Sequence, residues 1–137
     1  MKRCLIGLLA AFICCGCSTY KLANTVWYNV TPGELNGEAG NIVTSLYFFE
    51  GNQMCTNVSV EQNDKMLVPP TATAFGEYTS KGRLPKGVSL VITETDATGE
   101  AKTRCGLITA EGLLLYETDS LVRVYSKASN LTLKKER

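Results

Sequence analysis

The chain of 137 residues contains no histidine. Histidine is the commonest general base near neutral pH and the commonest transition-metal ligand, so its absence argues against an enzyme and against a metal centre. The chain also lacks a Gly-x-Ser-x-Gly elbow and a glycine-rich phosphate loop that opens a helix. We therefore expect a non-catalytic protein with no cofactor and no bound metal.

Charge of either sign is not in excess, because 14 Lys and Arg residues stand against 13 Asp and Glu residues. A nucleic-acid-binding protein normally concentrates basic residues on the face that gathers phosphates. The balance therefore predicts no nucleic-acid partner. The length is sufficient for one domain.

The longest run without charge lies at the N-terminus, where Lys2 and Arg3 precede the sequence CLIGLLAAFICCGC. A positive start followed by about a dozen apolar residues is typical of a secretory signal peptide. A membrane-spanning helix would need about 20 apolar residues, and a buried helix of the mature fold is the other alternative. We predict that residues 1–16 are a signal peptide.

The predicted signal peptide ends on Gly16-Cys17-Ser18, which resembles the lipobox of bacterial lipoproteins. The resemblance implies that Cys17 receives a diacylglyceryl thioether and fatty acyl chains such as palmitate, and becomes the mature N-terminus. Cys14 and Cys15 are alternative acceptors, but the residue before each fits the lipobox less well than Gly16 does. Two or more acyl chains hold a protein stably on a membrane.

Lipoprotein sorting gives the expected location. By resemblance to that sorting, Ser18 after the cysteine implies the outer membrane, and the sequence STYKL lacks the acidic residues of surface-export signals. We therefore expect a periplasm-facing protein of the cell envelope. Residues 17–24 are the predicted lipidated tether, residues 25–128 the folded domain, and residues 129–137 a flexible tail.

Two cysteines, Cys55 and Cys105, remain beyond the predicted lipidation point. An oxidising compartment allows them one pairing, and closing a loop of about fifty residues would stabilise the fold by about 4 kcal/mol. Against this, the alternation in MCTNVSVE places Cys55 on the polar face, opposite Met54. We predict a Cys55–Cys105 disulfide, with two separate packed thiols as the alternative.

The rest of the chain has the pattern of strands, since no stretch between residues 25 and 126 holds a helical period and turn residues recur throughout. The eight strand candidates are TVWYNV, TSLYFFE, MCTNVSVE, TATAFGEYT, VSLVITETD, KTRCGLIT, GLLLYETD and LVRVYSK. TPGELNGEAGN, residues 31–41, is the longest irregular segment and is predicted to be a mobile loop. Eight short antiparallel strands predict an all-β fold, either an up-and-down barrel or a two-sheet sandwich.

The order of the motifs favours the barrel, because it resembles the lipocalin-like domains of small bacterial lipoproteins. The matching residues are Trp27 early in the first strand, Phe48 or Phe49 with Gly51 in a hairpin, and Gly76 with Tyr78 before an aliphatic strand. The resemblance implies a single eight-stranded up-and-down barrel over most of residues 22–128.

Aromatic residues are the candidates for a ligand pocket in such a barrel. Trp27, Phe48, Phe75 and Tyr78 are predicted to line it and to receive a small apolar or amphipathic molecule, while simple filling of a small core is the alternative. The expected function is ligand binding by a membrane-anchored lipoprotein. The alternative function is a protein-binding accessory or an enzyme inhibitor of the cell envelope.

One tripeptide indicates a modification. Asp119-Ser120-Leu121 resembles the O-glycosylation signal found on exported proteins in one phylum of Gram-negative gut bacteria. The resemblance marks Ser120 as a candidate glycosylation site.

Overall fold

The computed structural model describes residues 20–128. The predicted signal peptide, Cys17 and the predicted tail lie outside these residues. The strands are β1 (Thr25–Leu35), β2 (Glu38–Phe48), β3 (Gln53–Gln62), β4 (Lys65–Arg83), β5 (Gly87–Asp96), β6 (Ala101–Thr109), β7 (Gly112–Tyr116) and β8 (Val122–Lys127). A 3₁₀ turn, Glu50–Asn52, joins β2 to β3. Each of the eight predicted strands is confirmed.

The strands close into one barrel in which each is antiparallel to its neighbours. Closure joins β1 to β8, where Trp27 lies opposite Lys127 and Tyr28 opposite Ser126. Beyond this seam the Asn29 side-chain amide donates to the carbonyl of Val124 at 2.9 Å. The predicted all-β up-and-down barrel is confirmed, and the sandwich is excluded.

The segment at residues 31–41 is a regular hairpin, so the prediction of a mobile loop there is wrong. The strands β1 and β2 pair from Thr25 opposite Phe48 to Leu35 opposite Glu38. The turn is Asn36-Gly37, with φ of 53° and 79°. An Asn-Gly pair suits a two-residue hairpin turn, because both positions need positive φ. The hairpin lacks alternation because it stands at the barrel rim, where most of its side chains are exposed on both faces.

The two ends of the barrel differ, and we name them the mouth and the closed end. Alternate connections of an up-and-down barrel lie at opposite ends. The mouth holds the connections at residues 36–37, 63–64, 97–100 and 117–121. The closed end holds the connections at residues 49–52, 84–86 and 110–111, together with both termini of the described chain.

Residues before β1 cover the closed end. The amide of Tyr20 donates to the carbonyl of Gly82 at 3.3 Å, and the amide of Asn24 donates to the carbonyl of Phe48 at 2.7 Å. Leu22 is 2% exposed and belongs to the core. The predicted tether at residues 17–24 is therefore too long, since its second half is part of the folded domain.

An apolar core fills the closed half of the barrel. Its members are Leu22, Trp27, Leu46, Phe48, Met54, Tyr78, Val88, Leu90, Ile92, Ile108, Leu113, Leu115 and Tyr125. The strand β8 contributes differently from the others. Its Val122 and Val124 are exposed, while Tyr125 is buried in the core. The two valines of this strand therefore face outward.

Candidate functional site at the barrel mouth

The four aromatic residues predicted to line a pocket do not form one. Trp27, Phe48 and Tyr78 lie in the packed core, and the rings of Phe48 and Tyr78 meet edge to face with centroids 5.0 Å apart. Phe75 is 63% exposed on the outside of the barrel. It is three residues from Tyr78 on β4, so strand alternation places the two on opposite faces. The pocket prediction is wrong at these residues, and three of them fill the core.

A cavity of about 300 Å³ opens instead at the mouth. Its lining combines charged, hydroxyl and apolar side chains, contributed by Thr31, Ile42, Thr44, Arg104, Glu117, Arg123 and Tyr125. Pockets for small molecules have volumes of about 300–1,000 Å³ and combine apolar walls with a few placed polar groups. This cavity is at the small end of that range and is amphipathic.

A buried ion-pair cluster forms the floor of the cavity, centred on Arg104. Its Nη2 lies 2.5 Å from Oε1 of Glu94, and its Nη1 donates to both carboxylate oxygens of Glu117, at 3.0 and 3.1 Å. Oε2 of Glu94 accepts a hydrogen bond from the Thr56 hydroxyl at 2.9 Å. The Arg104 side chain is 7% exposed. Charge-assisted hydrogen bonds of this kind hold their partners in a fixed geometry.

Strand register explains why these charges meet. The inward series Val88, Leu90 and Ile92 of β5 reaches Glu94 at the next step of two residues. Arg104 lies opposite Ile92, which places it diagonally next to Glu94 on the same face. The inward series of β7 likewise continues into Glu117, beside Arg104. Sequence reasoning missed this cluster, although alternation on each strand carried the signal.

The two arginines at the cavity differ in exposure. The Nε of Arg104 is buried and has no hydrogen-bond partner among the described residues. Arg123 is 37% exposed, and its Nε lies 3.7 Å from Glu117. Its Nη1 donates to the Thr31 hydroxyl at 3.2 Å. The exposed part of the Arg123 guanidinium can therefore donate to a bound molecule that carries a hydrogen-bond acceptor.

The phenol of Tyr125 completes the floor. Burial, reinforced by the nearby Glu117 carboxylate, raises the pKa of Tyr125 above its ordinary value. The phenol is therefore neutral at physiological pH. With Glu94 and Glu117 balancing Arg104 and Arg123, the interior of the mouth carries no net formal charge.

The rim around the cavity is acidic. It carries seven carboxylates outside the interior cluster: Glu34, Glu38, Glu61, Asp64, Asp96, Glu100 and Asp119. Two lysines at this end, Lys65 and Lys102, offset part of that negative charge. A charged rim of one sign attracts cations and repels anions before contact.

The predicted Cys55–Cys105 disulfide is absent, and both thiols are free. Cys55 is on β3 and Cys105 on β6, which β4 and β5 separate. Three steps of about 4.8 Å between neighbouring strands exceed the Cα separation of about 7 Å that a disulfide tolerates. Both side chains point outward, so no path through the interior shortens the distance. The disulfide prediction is wrong, and the alternative of two separate thiols is the observed one.

The two thiols have different surroundings. Cys55 is 6% exposed and donates to Oδ1 of Asn57 at 3.3 Å. Burial, and then the negative charge of Glu94, raise its pKa above the ordinary value. Cys105 is exposed. A thiol reacts as its thiolate, so these surroundings protect Cys55 more than Cys105.

Ser120, the candidate glycosylation site, lies in the exposed loop between β7 and β8. The amides of Ser120 and Leu121 donate to the Thr118 hydroxyl at 3.3 and 3.0 Å, which gives the loop a defined turn. Glycosylation requires an accessible hydroxyl, and this position supplies one. The lipidation site predicted at Cys17 lies outside the described residues.

Residues 20–128 lack two features that would indicate a membrane span or a metal site. This part of the chain contains no helix that is both long enough and apolar enough to cross a membrane. It also brings together no group of three or more Asp, Glu or Cys side chains that could hold a metal ion. Comparisons of the chain with protein-family models, curated proteins and solved structures found no match.

Proposed function

We propose that this chain is a non-catalytic lipoprotein of the cell envelope, anchored through Cys17 to the periplasmic face of the outer membrane, whose barrel binds a small amphipathic ligand. The amphipathic cavity at the mouth supports the binding function. It combines Ile42 and the ring of Tyr125 with the guanidinium of Arg123. A purely apolar ligand is disfavoured, because the apolar half of the interior is filled by side chains.

The charges around the cavity define the head group of the ligand. A net anion is repelled by the acidic rim, and a net cation finds no unpaired carboxylate inside the cavity, because Glu117 already contacts Arg104 and Arg123. An uncharged or zwitterionic head with hydrogen-bond acceptors meets neither penalty. It would accept from the Arg123 guanidinium, while a short apolar group lies against Ile42.

Three eight-carbon amphiphiles test this head-group preference: octyl glucoside, octanoate and octyltrimethylammonium. We expect octyl glucoside, below its micelle concentration, to shift the amide NMR signals of Thr31, Thr44 and Arg123 in the chain from residue 18 to residue 137. The two charged probes should shift these signals less. Arg123→Met is the matched control and should weaken the octyl glucoside effect. Equal shifts for the three probes, or shifts confined to other parts of the barrel, would refute the proposed site.

The lipid anchor has its own test. The full chain, produced in a Gram-negative host that matures lipoproteins, should yield an N-terminal peptide that begins at acylated Cys17. Cys17→Ala should prevent both cleavage and acylation. An intact leader on the wild-type protein, or an unmodified Cys17, contradicts the anchor and leaves the cavity experiment unaffected.

A second function, binding of a protein partner in the envelope, is favoured by the acidic rim. Seven carboxylates against two lysines at the mouth suit a partner with a basic face. A bait with Glu61→Gln, Asp64→Asn and Asp96→Asn should lose a partner that the wild-type bait captures from detergent-solubilised membranes. The same partner on both baits argues against recognition by the rim.

A further inference from the structure

The described chain begins and ends at the closed end of the barrel. Tyr20 is fixed there by its hydrogen bond to Gly82, and the side-chain nitrogen of Lys127 lies 5.9 Å from the centre of the Tyr20 ring. If Cys17 is the lipid anchor, as proposed above, three residue steps separate it from Tyr20. Three steps of extended chain span about 10 Å. The anchor would therefore hold the closed end against the bilayer.

Basic residues collect at this end. Five exposed cations surround it: Lys21, Lys81, Arg83, Lys86 and Lys127. Three exposed carboxylates, Glu50, Glu77 and Glu111, offset part of that charge. The sequence after Ala128 adds three basic residues and one acidic residue.

Exposed apolar side chains accompany these cations. Leu84, in the connection between β4 and β5, is 36% exposed, and Phe49, beside the connection between β2 and β3, is 45% exposed. Apolar groups among basic residues are typical of surfaces that lie in the bilayer interface. The mouth has the opposite character, with its excess of carboxylates.

We propose that the closed end is a docking surface for an anionic lipid bilayer, which turns the mouth and its cavity away from the membrane. Anionic lipids attract the basic closed end and repel the acidic rim, so both ends favour the same orientation. The acyl chains supply the affinity for the membrane, and the docking surface determines the orientation of the barrel relative to the bilayer. The ligand then enters from the aqueous compartment.

Vesicle binding by the chain from residue 18 to residue 137 tests the surface without the anchor. This chain keeps every described residue. We expect it to sediment with vesicles of phosphatidylcholine and phosphatidylglycerol at 3:1, and not with vesicles of phosphatidylcholine alone. Each lysine near an anionic surface is worth about a fivefold change in partitioning, and added salt should weaken the binding.

Two double variants locate the surface. Lys81→Gln with Lys86→Gln removes two cations from the closed end, and should lower partitioning by about thirtyfold. Lys65→Gln with Lys102→Gln removes two cations from the mouth, and should leave it unchanged or raise it. Circular dichroism and the melting temperature confirm that both variants fold.

Three outcomes overturn the docking surface: no binding by the unsubstituted chain, equal binding to both kinds of vesicle, or equal losses in the two double variants. None of them bears on acylation of Cys17, which the N-terminal mass decides separately. An acylated Cys17 with failed vesicle binding refutes the docking surface alone.

Discussion

Removal of the Arg104 charge should destabilise the barrel strongly. Arg104→Met keeps an unbranched apolar stem but deletes the guanidinium that lies between Glu94 and Glu117. The two carboxylates then face each other across the floor of the cavity without their shared counter-ion. The lost stabilisation therefore includes the desolvation cost of the charges that remain.

The remaining partners determine the magnitude. Removing one member of a buried ion pair costs about 3–5 kcal/mol. In the variant, Oε2 of Glu94 still accepts the hydrogen bond from the Thr56 hydroxyl, at 2.9 Å in the wild type. Oε1 of Glu117 still lies near the Nε of Arg123, at 3.7 Å in the wild type. Because both carboxylates retain one favourable contact, we expect a loss of about 3 kcal/mol, at the lower end of that range.

Urea unfolding of the chain from residue 18 to residue 137, followed by the emission of Trp27, measures the effect. Trp27 is the one tryptophan in the chain and is 3% exposed, so its emission reports the loss of the core. With a slope of about 2 kcal/mol per molar urea, the midpoint should fall by about 1.5 M.

Two further variants separate the charge effect from lost packing. Arg123→Met removes a looser, partly exposed pair and should cost no more than about 1 kcal/mol. Glu94→Gln combined with Arg104→Met removes one negative charge together with the positive one, and should be more stable than Arg104→Met alone by at least about 1 kcal/mol. If Arg104→Met lies within 1 kcal/mol of the wild type, or Arg123→Met costs as much, the cluster does not stabilise the fold as argued.

Three other expectations concern glycine, an exposed carboxylate and the thiols. Gly76→Ala would place a Cβ on the carbonyl oxygen of Thr93, so urea unfolding should show a loss of more than about 2 kcal/mol; near-wild-type stability would mean that β4 and β5 are farther apart. The side chain of Thr98 and backbone amides of the same turn lower the pKa of Asp96, so its stabilisation is present near neutral pH and is lost as pH falls through that pKa. Asp96→Asn should therefore destabilise the protein at pH 7 more than at pH 2, and an equal loss at both pH values would contradict this. In the chain from residue 18 to residue 137, a thiol reagent should modify Cys105 rapidly and Cys55 only after the protein unfolds. If neither thiol reacts until a reductant is added, the two cysteines form a disulfide and this expectation is wrong.

Strand alternation and turn residues were enough to predict eight strands and an all-β fold, because each strand that builds the core repeats the period of the pleat. The choice of a barrel over a sandwich came from the resemblance to lipocalin-like domains. Val88, Leu90 and Ile92 are buried as their alternation predicts. The same reasoning failed at residues 31–41, where the strands extend beyond the core and no buried face imposes a pattern. There the Asn36-Gly37 turn was the informative signal.

The ligand pocket failed as a prediction for a different reason. An aromatic residue contributes the same hydrophobic pattern whether it lines a cavity or fills it, and the sequence does not state the volume enclosed by the strands. Trp27, Phe48 and Tyr78 are inward-facing as expected, but a barrel of this size is filled by side chains of such volume. Phe75 shows that an aromatic residue need not face the interior, because its side chain lies on the outside of the barrel.

The disulfide failed because its prediction counted cysteines without placing their strands. Once the barrel is an up-and-down one, Cys55 falls on the third strand and Cys105 on the sixth, and the pairing becomes geometrically excluded. The alternation around Met54 already placed Cys55 on the outer face. Strand order and side-chain direction together exclude the disulfide, although the predicted oxidising compartment would allow it.

The mouth cluster could have been inferred by extending each apolar series one step further. Ile92 is followed two residues later by Glu94, and Leu115 by Glu117, so both carboxylates continue an inward face toward the same end of the barrel. Burial of two carboxylates demands a cation on the strand between them, and β6 offers Arg104 at the matching register. A change from apolar to charged residues on the inward face of neighbouring strands thus marks where the packed core of a small barrel ends and a polar cavity begins.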